Sequence, residues 1–168
     1  NYYLNKKLQL LATTDGLTGL QNRLGFERVI GRYSRISNSR LGFFLIDVNG
    51  LKEMNDKMGH EWGDELLRNV SVMLQDIASR HSRTSLYRIG GDEFVALVQG
   101  LEHAAVHARL AETQQSLEDI DVSVAFGTAH AEESATYKTY KALKDEADKV
   151  MYKDKLACYA RHGWKPRG

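Results

Sequence analysis

Two stretches of this chain put acids where acids are costly. GFFLIDV closes an unbroken apolar run on Asp47, and IGGDEFVAL sets Asp92 and Glu93 at the start of another. An apolar run of that length reads as a strand buried on both faces. A carboxylate at its end borders a desolvated surface. Two such carboxylates repel when they converge, unless a cation sits between them. An all-oxygen ligand set selects a hard ion such as Mg²⁺. Gly90 and Gly91 suit a two-residue hairpin turn with positive φ at its centre, and they let backbone approach a ligand closely. A hairpin with solvated acids at its tip is the other reading of the same residues.

The segment that follows Asp47 adds polar groups at the same edge. It reads DVNGLKEMNDKMGHEWGDELL. Asn49 and Gly50 break the strand, and residues 51–58 form a short helix. Free backbone N–H groups at that helix start make a ready phosphate site. Asn55, Asp56, His60 and Asp64 stand beside Gly59 and Gly63. A carboxylate such as Asp64 can accept from both N1–H and N2–H of a guanine, and an amide such as Asn55 offers donor and acceptor to a base edge. Helix capping is the alternative: Asp64 could start a helix, and Asn55 or Asp56 could end one.

Other elements must hold these residues in place. Leu4, Leu8 and Leu11 repeat at helical spacing, which predicts a first helix with one apolar stripe. It is either a cap on the domain or the tail of a linker from an upstream module. DGLTGLQNR, residues 15–23, is rich in turn formers. Helices are predicted at 24–37, with Phe26, Val29, Ile30 and Tyr33 inward, and at 63–79, 102–117 and 140–160. Strands are predicted at 42–48, 85–89, 94–98 and 122–129. The order gives a βαββαβ core with extra helices, a mixed α+β sheet covered mainly on one face. A right-handed crossover makes the strands ending at Asp47 and Ile89 parallel. If they are neighbours, Asp47 and Asp92 meet at one rim.

Length and composition fit one soluble globular domain. The chain has 168 residues and a formal net charge of +1, so no strong field draws it to nucleic acid or a membrane surface. Its lone cysteine, Cys158, permits no internal disulfide, which points to a reducing compartment. No apolar run approaches membrane-spanning length. A cytoplasmic domain, detached or part of a larger and even membrane-attached protein, is the expectation.

Four ordered segments resemble the GGDEF family, the diguanylate cyclases. They are DGLTGLQNR at 15–23, DVNGLKEMNDKMGHEWGD at 47–64, GGDEF at 90–94 and YKDK at 152–155. The resemblance implies a palm-like sheet, similar to ferredoxin-like and nucleotidyl-cyclase folds, over residues 14–168, with residues 1–13 as a linker or capping helix. It implies that two GTP, one on each of two facing subunits, condense to cyclic di-GMP and two pyrophosphates. Asp47, the Val48 carbonyl and Asp92 would ligate Mg²⁺, or Mn²⁺ in its stead, and Glu93 would position or deprotonate the attacking hydroxyl. Asn55 and Asp64 would read guanine, with His60 lining the pocket. Gly50, Leu51, Lys52, Gly91 and Lys155 would contact the substrate, the first three and Lys155 at its phosphates. The partners implied are GTP, a second copy, and an upstream regulatory module acting through the first helix, with neither nucleic acid nor direct membrane contact.

Departures from the pattern accompany the resemblance. Asn49 stands where the family has a second aspartate, and Leu51 where it has phenylalanine. Cys158, Tyr159 and Ala160 hold the places of a Gly-Arg-Asn, so the phosphate arginine is missing there and Arg161 lies two residues on. His81 and Thr84 hold the places of the inhibitory Arg-x-x-Asp, and feedback inhibition by that route is not expected. The altered last helix suits a second reading, a catalytically weak GTP or cyclic di-GMP sensor. His103 and His107 stand four apart with no evident third ligand, as on a solvated helix face.

Overall fold

The apolar run at Asp47 lies at the heart of a five-stranded mixed sheet in a computed structural model describing residues 1–33, 40–81, 83–120, 122–131 and 140–162. The elements are α1 (Tyr2–Thr13), β1 (Gln21–Asn22), α2 (Arg23–Tyr33), β2 (Leu41–Val48), α3 (Leu51–Met58), α4 (His60–Ser79), β3 (Thr84–Arg88), β4 (Glu93–Gln99), α5 (His103–Glu118), β5 (Val124–Ala131) and α6 (Tyr140–His162). The strand order is β1-β3-β4-β2-β5. Among the described strands, β1 and β3 pair in parallel and the other pairs are antiparallel. β2 and β3 do run parallel, but β4 lies between them. They are not neighbours, so a different pairing must bring the acids together.

Helices cover both faces of the sheet, which corrects the expectation of one covered face. Phe43, Leu45, Val95 and Leu97 pack with Phe26 and Ile30 of α2 and Leu143 and Ala147 of α6. Ile46, Val48, Phe94 and Phe126 pack with Leu67, Val70 and Leu74 of α4 and Leu117 of α5. All eight residues of β2 are buried. Its continuous apolar pattern is what two covered faces require, because successive side chains point to opposite sides. Burying each such Leu, Ile or Phe stabilises the fold by about 1.5–3 kcal/mol relative to exposure.

Two contacts fix α6 against β5 and so aim its later turns at the rim. A Cβ on Gly127 would lie 1.9 Å from the Ala147 carbonyl oxygen, so only glycine lets the helix lie this close. Asp154 Oδ2 accepts from the Phe126 N–H at 2.9 Å. β5 is an edge strand, and this carboxylate caps a donor that the sheet leaves unpaired.

Three expectations need adjustment. DGLTGLQNR is not all turn: Gln21 and Asn22 pair with Tyr87 and Arg88. The helix predicted at 24–37 begins at Arg23 and is described to Tyr33; residues 34–37 lie outside the described residues, as does the side chain of Tyr33. α1 buries none of its side chains, and Leu4, Leu8 and Leu11 of the predicted stripe are all more than half exposed. It does not cap the core. Among the described residues, no helix is long and apolar enough to cross a membrane.

Candidate active site

The acids meet through β4. In the antiparallel β2–β4 register Asp47 stands opposite Glu93, and opposed residues share a face. The Val48 N–H donates to the Asp92 carbonyl at 2.9 Å, which holds the turn against the end of β2. Asp47 is buried, at 4% exposure, and accepts from Lys155 Nζ of α6 at 2.8 Å. Asp47, Glu93, Asp148, Tyr152 and Lys155 line one open cleft. The structure therefore brings together four of the residues singled out in the sequence: Asp47, Asp92, Glu93 and Lys155.

The electrostatics of this rim are unbalanced. Burial pushes the Glu93 carboxyl above its usual range, and the charges of Asp47 and Asp92 push it further the same way. Burial alone would lower the Lys155 ammonium, but the hydrogen bond and charge of Asp47 outweigh it and raise it. Among the described residues no three His, Cys, Asp or Glu side chains form a metal cage by themselves. A cation here would therefore draw on backbone and ligand oxygens as well as two carboxylates.

The turn differs from the expected hairpin. Ile89 and Gly90 both donate to the Glu93 carbonyl, at 2.9 and 3.4 Å, and residues 89–92 span the gap between strands. Neither Gly90 nor Gly91 has positive φ. The glycines serve space instead. A Cβ on Gly90 would lie 2.8 Å from Glu93 Oε2, whereas one on Gly91 would meet nothing within 4 Å. The first clears room for the Glu93 carboxylate, and the second leaves open backbone at the tip.

A clamp unforeseen in the sequence holds this turn. Arg88 Nη2 donates to the Gly91 carbonyl at 2.8 Å, and Nη1 donates to Asp15 Oδ2 at 3.1 Å. Asp15 also accepts from the Thr18 N–H and hydroxyl. Burial raises the Asp15 carboxyl, but Thr18 and Arg88 together pull it below its usual value. The signals were an arginine just before the double glycine and an aspartate opening DGLTG. Neither revealed its partner, 73 residues away.

After β2 the chain turns at Gly50, whose φ of +70° places it in the left-handed region that favours glycine. Met54 donates to the Gly50 carbonyl, so α3 starts there. The N–H groups of its first turn have no intrahelical acceptor. Leu51 is buried and anchors the helix start, while Lys52 is exposed. Asn49 is buried and turned inward: Nδ2 donates to Ser123 Oγ at 3.2 Å and to Cys158 Sγ at 3.3 Å. It ties the loop to β5 and α6. Cys158 and Tyr159 are buried too, and Arg161 lines a separate cleft with Ser123 and Asp154. Arg161 does not line the cleft of Asp47, Glu93 and Lys155.

α3 and α4 meet at a sharp elbow. Gly59, with φ +92°, ends one and starts the other, and its N–H donates to the Asn55 carbonyl at 2.9 Å. No side chain caps α4. The capping role considered for Asp64 therefore falls away, since Asp64 sits within α4, exposed. His60 opens α4, also exposed, and Asn55 is half-buried. His103 and His107 are exposed on α5, as a solvated face requires; the His103 ring lies 5.2 Å from that of His130. At the opposite rim His81 Nε2 meets Glu112 Oε2 at 3.0 Å, and the Thr84 hydroxyl donates to the His81 carbonyl.

The chain matches the family described as "Diguanylate cyclase, GGDEF domain" over residues 12–159. It is 32% identical over 166 residues to the diguanylate cyclase DgcS of Shewanella oneidensis, covering 92% of this chain and 54% of that protein. It is 31% identical over 156 residues to the cyclic di-GMP phosphodiesterase PdeR of Escherichia coli, covering 88% of this chain and 23% of that one. Its fold matches the coiled coil and GGDEF domain of DgcB from Caulobacter crescentus, solved with c-di-GMP, with a TM-score of 0.80 at 22% identity, over 97% of this chain and 88% of that one. The chain thus spans about half the length of DgcS and about a quarter of PdeR.

Proposed function

Because this chain belongs to the GGDEF domain family, we propose that it is the catalytic half-site of a diguanylate cyclase. Each copy holds one GTP, and two copies face each other. Each 3′-oxygen forms a bond to the α-phosphorus of the opposite GTP, the bond from that phosphorus to the β-bridging oxygen breaks, and pyrophosphate leaves. Two such steps give cyclic di-GMP and two pyrophosphates.

The observation that carries this reading is the Asp47–Glu93 pairing, with Asp92 tied to Val48 beside it. Like charges gathered in a partly buried cleft fit a divalent cation, and the donors are all hard oxygens. Asp47, the Val48 carbonyl and Asp92 would hold it. Bound there, the cation neutralises phosphate charge and favours the ionised hydroxyl. The chain's own groups do the rest. Gly50, Leu51, Lys52 and Gly91 present backbone to the triphosphate, and Lys155 lends its ammonium to the outer phosphates. Glu93, its pKa raised by burial and by Asp47 and Asp92, takes the hydroxyl proton or fixes the hydroxyl. Asn55 and Asp64 read the guanine beside His60. The exposed apolar face of α1 suits helical pairing with an upstream module or the second copy.

Incubation with GTP and Mg²⁺, followed by identification of the product, tests this directly. Cyclic di-GMP formed at a rate rising with the square of protein concentration is expected. Saturable GTP binding without product at any concentration would instead support a sensor. That second reading is favoured by Cys158 and Tyr159, buried where the family has its phosphate arginine.

A further inference from the structure

We infer that Gly63 is a specificity-determining position, a notch in α4 that seats the Asn55 carboxamide and so fixes how the domain reads its base. The inference rests on the reading of Asn55 as a guanine contact, and deepens it.

The buried stripe of α4 is Gly63, Leu67, Val70, Ser71, Leu74 and Ile77. Its spacing is that of a core-facing helix. The pattern calls for a side chain at its first position, and the sequence supplies none. Glycine is the poorest helix residue after proline, so its presence at a buried position in the first turn of α4 needs a local reason. The space holds the reason. A Cβ on Gly63 would lie 1.9 Å from Asn55 Oδ1, 2.8 Å from Cγ and 3.1 Å from Nδ2. The whole carboxamide is seated on the Gly63 backbone. Gly63 is the one glycine within α3 and α4, and its φ is ordinary.

Asn55 Oδ1 is buried and accepts no hydrogen bond among the described residues. Among the described residues no protein donor orients this amide oxygen, so packing against the notch does. The elbow at Gly59 completes the arrangement by folding α4 back beside α3. If a methyl filled the notch, the cheapest response would be rotation of Asn55 away from α4, because its amide is the far end of a mobile side chain. The helix itself would not suffer, since alanine is the better helix former. Fold and base recognition should therefore separate in one substitution.

The experiment uses the non-condensing analogue guanosine 5′-[α,β-methylene]triphosphate, its adenosine counterpart, and the variants Gly63→Ala, Asn55→Ala and both together. Gly63→Ala should weaken binding of the guanosine analogue about tenfold to a hundredfold, the loss of one or two hydrogen bonds. Its melting temperature should equal or exceed that of the parent, and binding of the adenosine analogue should not change. Asn55→Ala should weaken guanosine binding by a similar factor, and the double variant should be no weaker than Asn55→Ala. Guanosine binding by Gly63→Ala within twofold of the parent, while Asn55→Ala binds poorly, would overturn the notch and leave the guanine reading standing. Parent-like binding by Asn55→Ala would remove the guanine reading and the notch with it. Equal loss of both analogues in Gly63→Ala would also refute a role in specificity. Should Gly63→Ala fail to fold, a double variant that folds and matches Asn55→Ala supports the contact, and one that still fails refutes it.

Discussion

The two ends of the β3–β4 hairpin treat charge in opposite ways. At the Gly90 end, Asp47, Asp92 and Glu93 gather with Lys155, and burial together with the neighbouring acids pushes Glu93 upward. At the far end, charges of both signs pair off: Arg80 bridges Asp76 and Glu112, and His81 bridges Glu112. The far end needs no added cation, although Arg109 Nη1 there is buried without a hydrogen-bond partner among the described residues. The near end does, and groups held at perturbed pKa in a cleft are what a reaction centre requires. The contrast also bears on regulation. On the family resemblance His81 and Thr84 would hold the inhibitory places, and Arg80 and His81 here already meet Glu112.

The largest effect should come from removing a near-rim acid. Asp92→Ala is expected to cut cyclic di-GMP formation on the order of 10³-fold, as loss of a charge-stabilising group does, and to abolish Mg²⁺-linked GTP binding. Activity within tenfold of the parent would break the comparison outright, since the near rim would then not house the reaction. Glu93→Gln should spare GTP binding and reduce turnover by about 10²–10⁴-fold, the range of general acid–base catalysis.

The same substitution reads the strain at this rim. The folded-state pKa of Glu93 is raised above the unfolded value near 4.5. Its protonated form therefore stabilises the fold below pH 4.5, and that contribution is lost as pH rises through the folded value. At pH 8 Glu93→Gln should melt higher than the parent, by at most about 2–4 °C given solvent screening of a half-exposed group. At pH 4 the difference should vanish. A melting difference independent of pH would show that the rim is not strained by Glu93.

What could be read from the sequence was local. The bounds of α3 match the expected 51–58, and β2 lies within a residue of its prediction, because apolar continuity and strand-breaking residues act over a few positions. The near-rim acids were legible for the same reason. Strand order was not: adjacency of β2 and β3 looked natural, but β4, folding straight back from β3, takes the place beside β2. Contacts across long separations left no trace either. Asn49 reaches Cys158 across 109 residues; the sequence marked it only as a substitution for the family's second aspartate, and it is a buried tie. Gly90 and Gly91 were read as a turn requirement, whereas their role here is clearance for Glu93 and open backbone at the tip.

Arg88 sharpens the comparison by joining the near rim to the segment after α1. Arg88→Ala releases the Gly91 carbonyl and strips Asp15 of its ion pair. Turnover should fall about 10–100-fold through misplacement of the turn, since an error of about 1 Å in a reacting geometry costs up to about 10². Asp15 gives the matching pH test. Its folded pKa is lowered, so its contribution is present above 3.8 and lost as pH falls through the folded value. Asp15→Asn should flatten the acid limb of a melting profile; an unchanged limb would show that the clamp stores no stability.

The smallest effect belongs to the far rim. Glu112→Ala leaves Arg80 with Asp76 alone and removes the partner of His81, and the side chains involved are between about a quarter and a half exposed. Exposed pairs of this kind contribute about 0.2–1 kcal/mol each, so the melting temperature should drop by only a few degrees and turnover should stay within twofold. The variant has a second use. With Glu112 gone, Arg80 keeps Asp76, while His81 and Arg109 lose their shared acidic partner and can meet an anion. If the far rim is silent because it neutralises itself, Glu112→Ala should bind cyclic di-GMP more tightly than the parent in a titration. If it is silent because His81 and Thr84 cannot form the inhibitory contacts at all, affinity should not change. Tight binding by the parent that His81→Ala abolishes would sink both explanations and make the far rim a regulatory site after all.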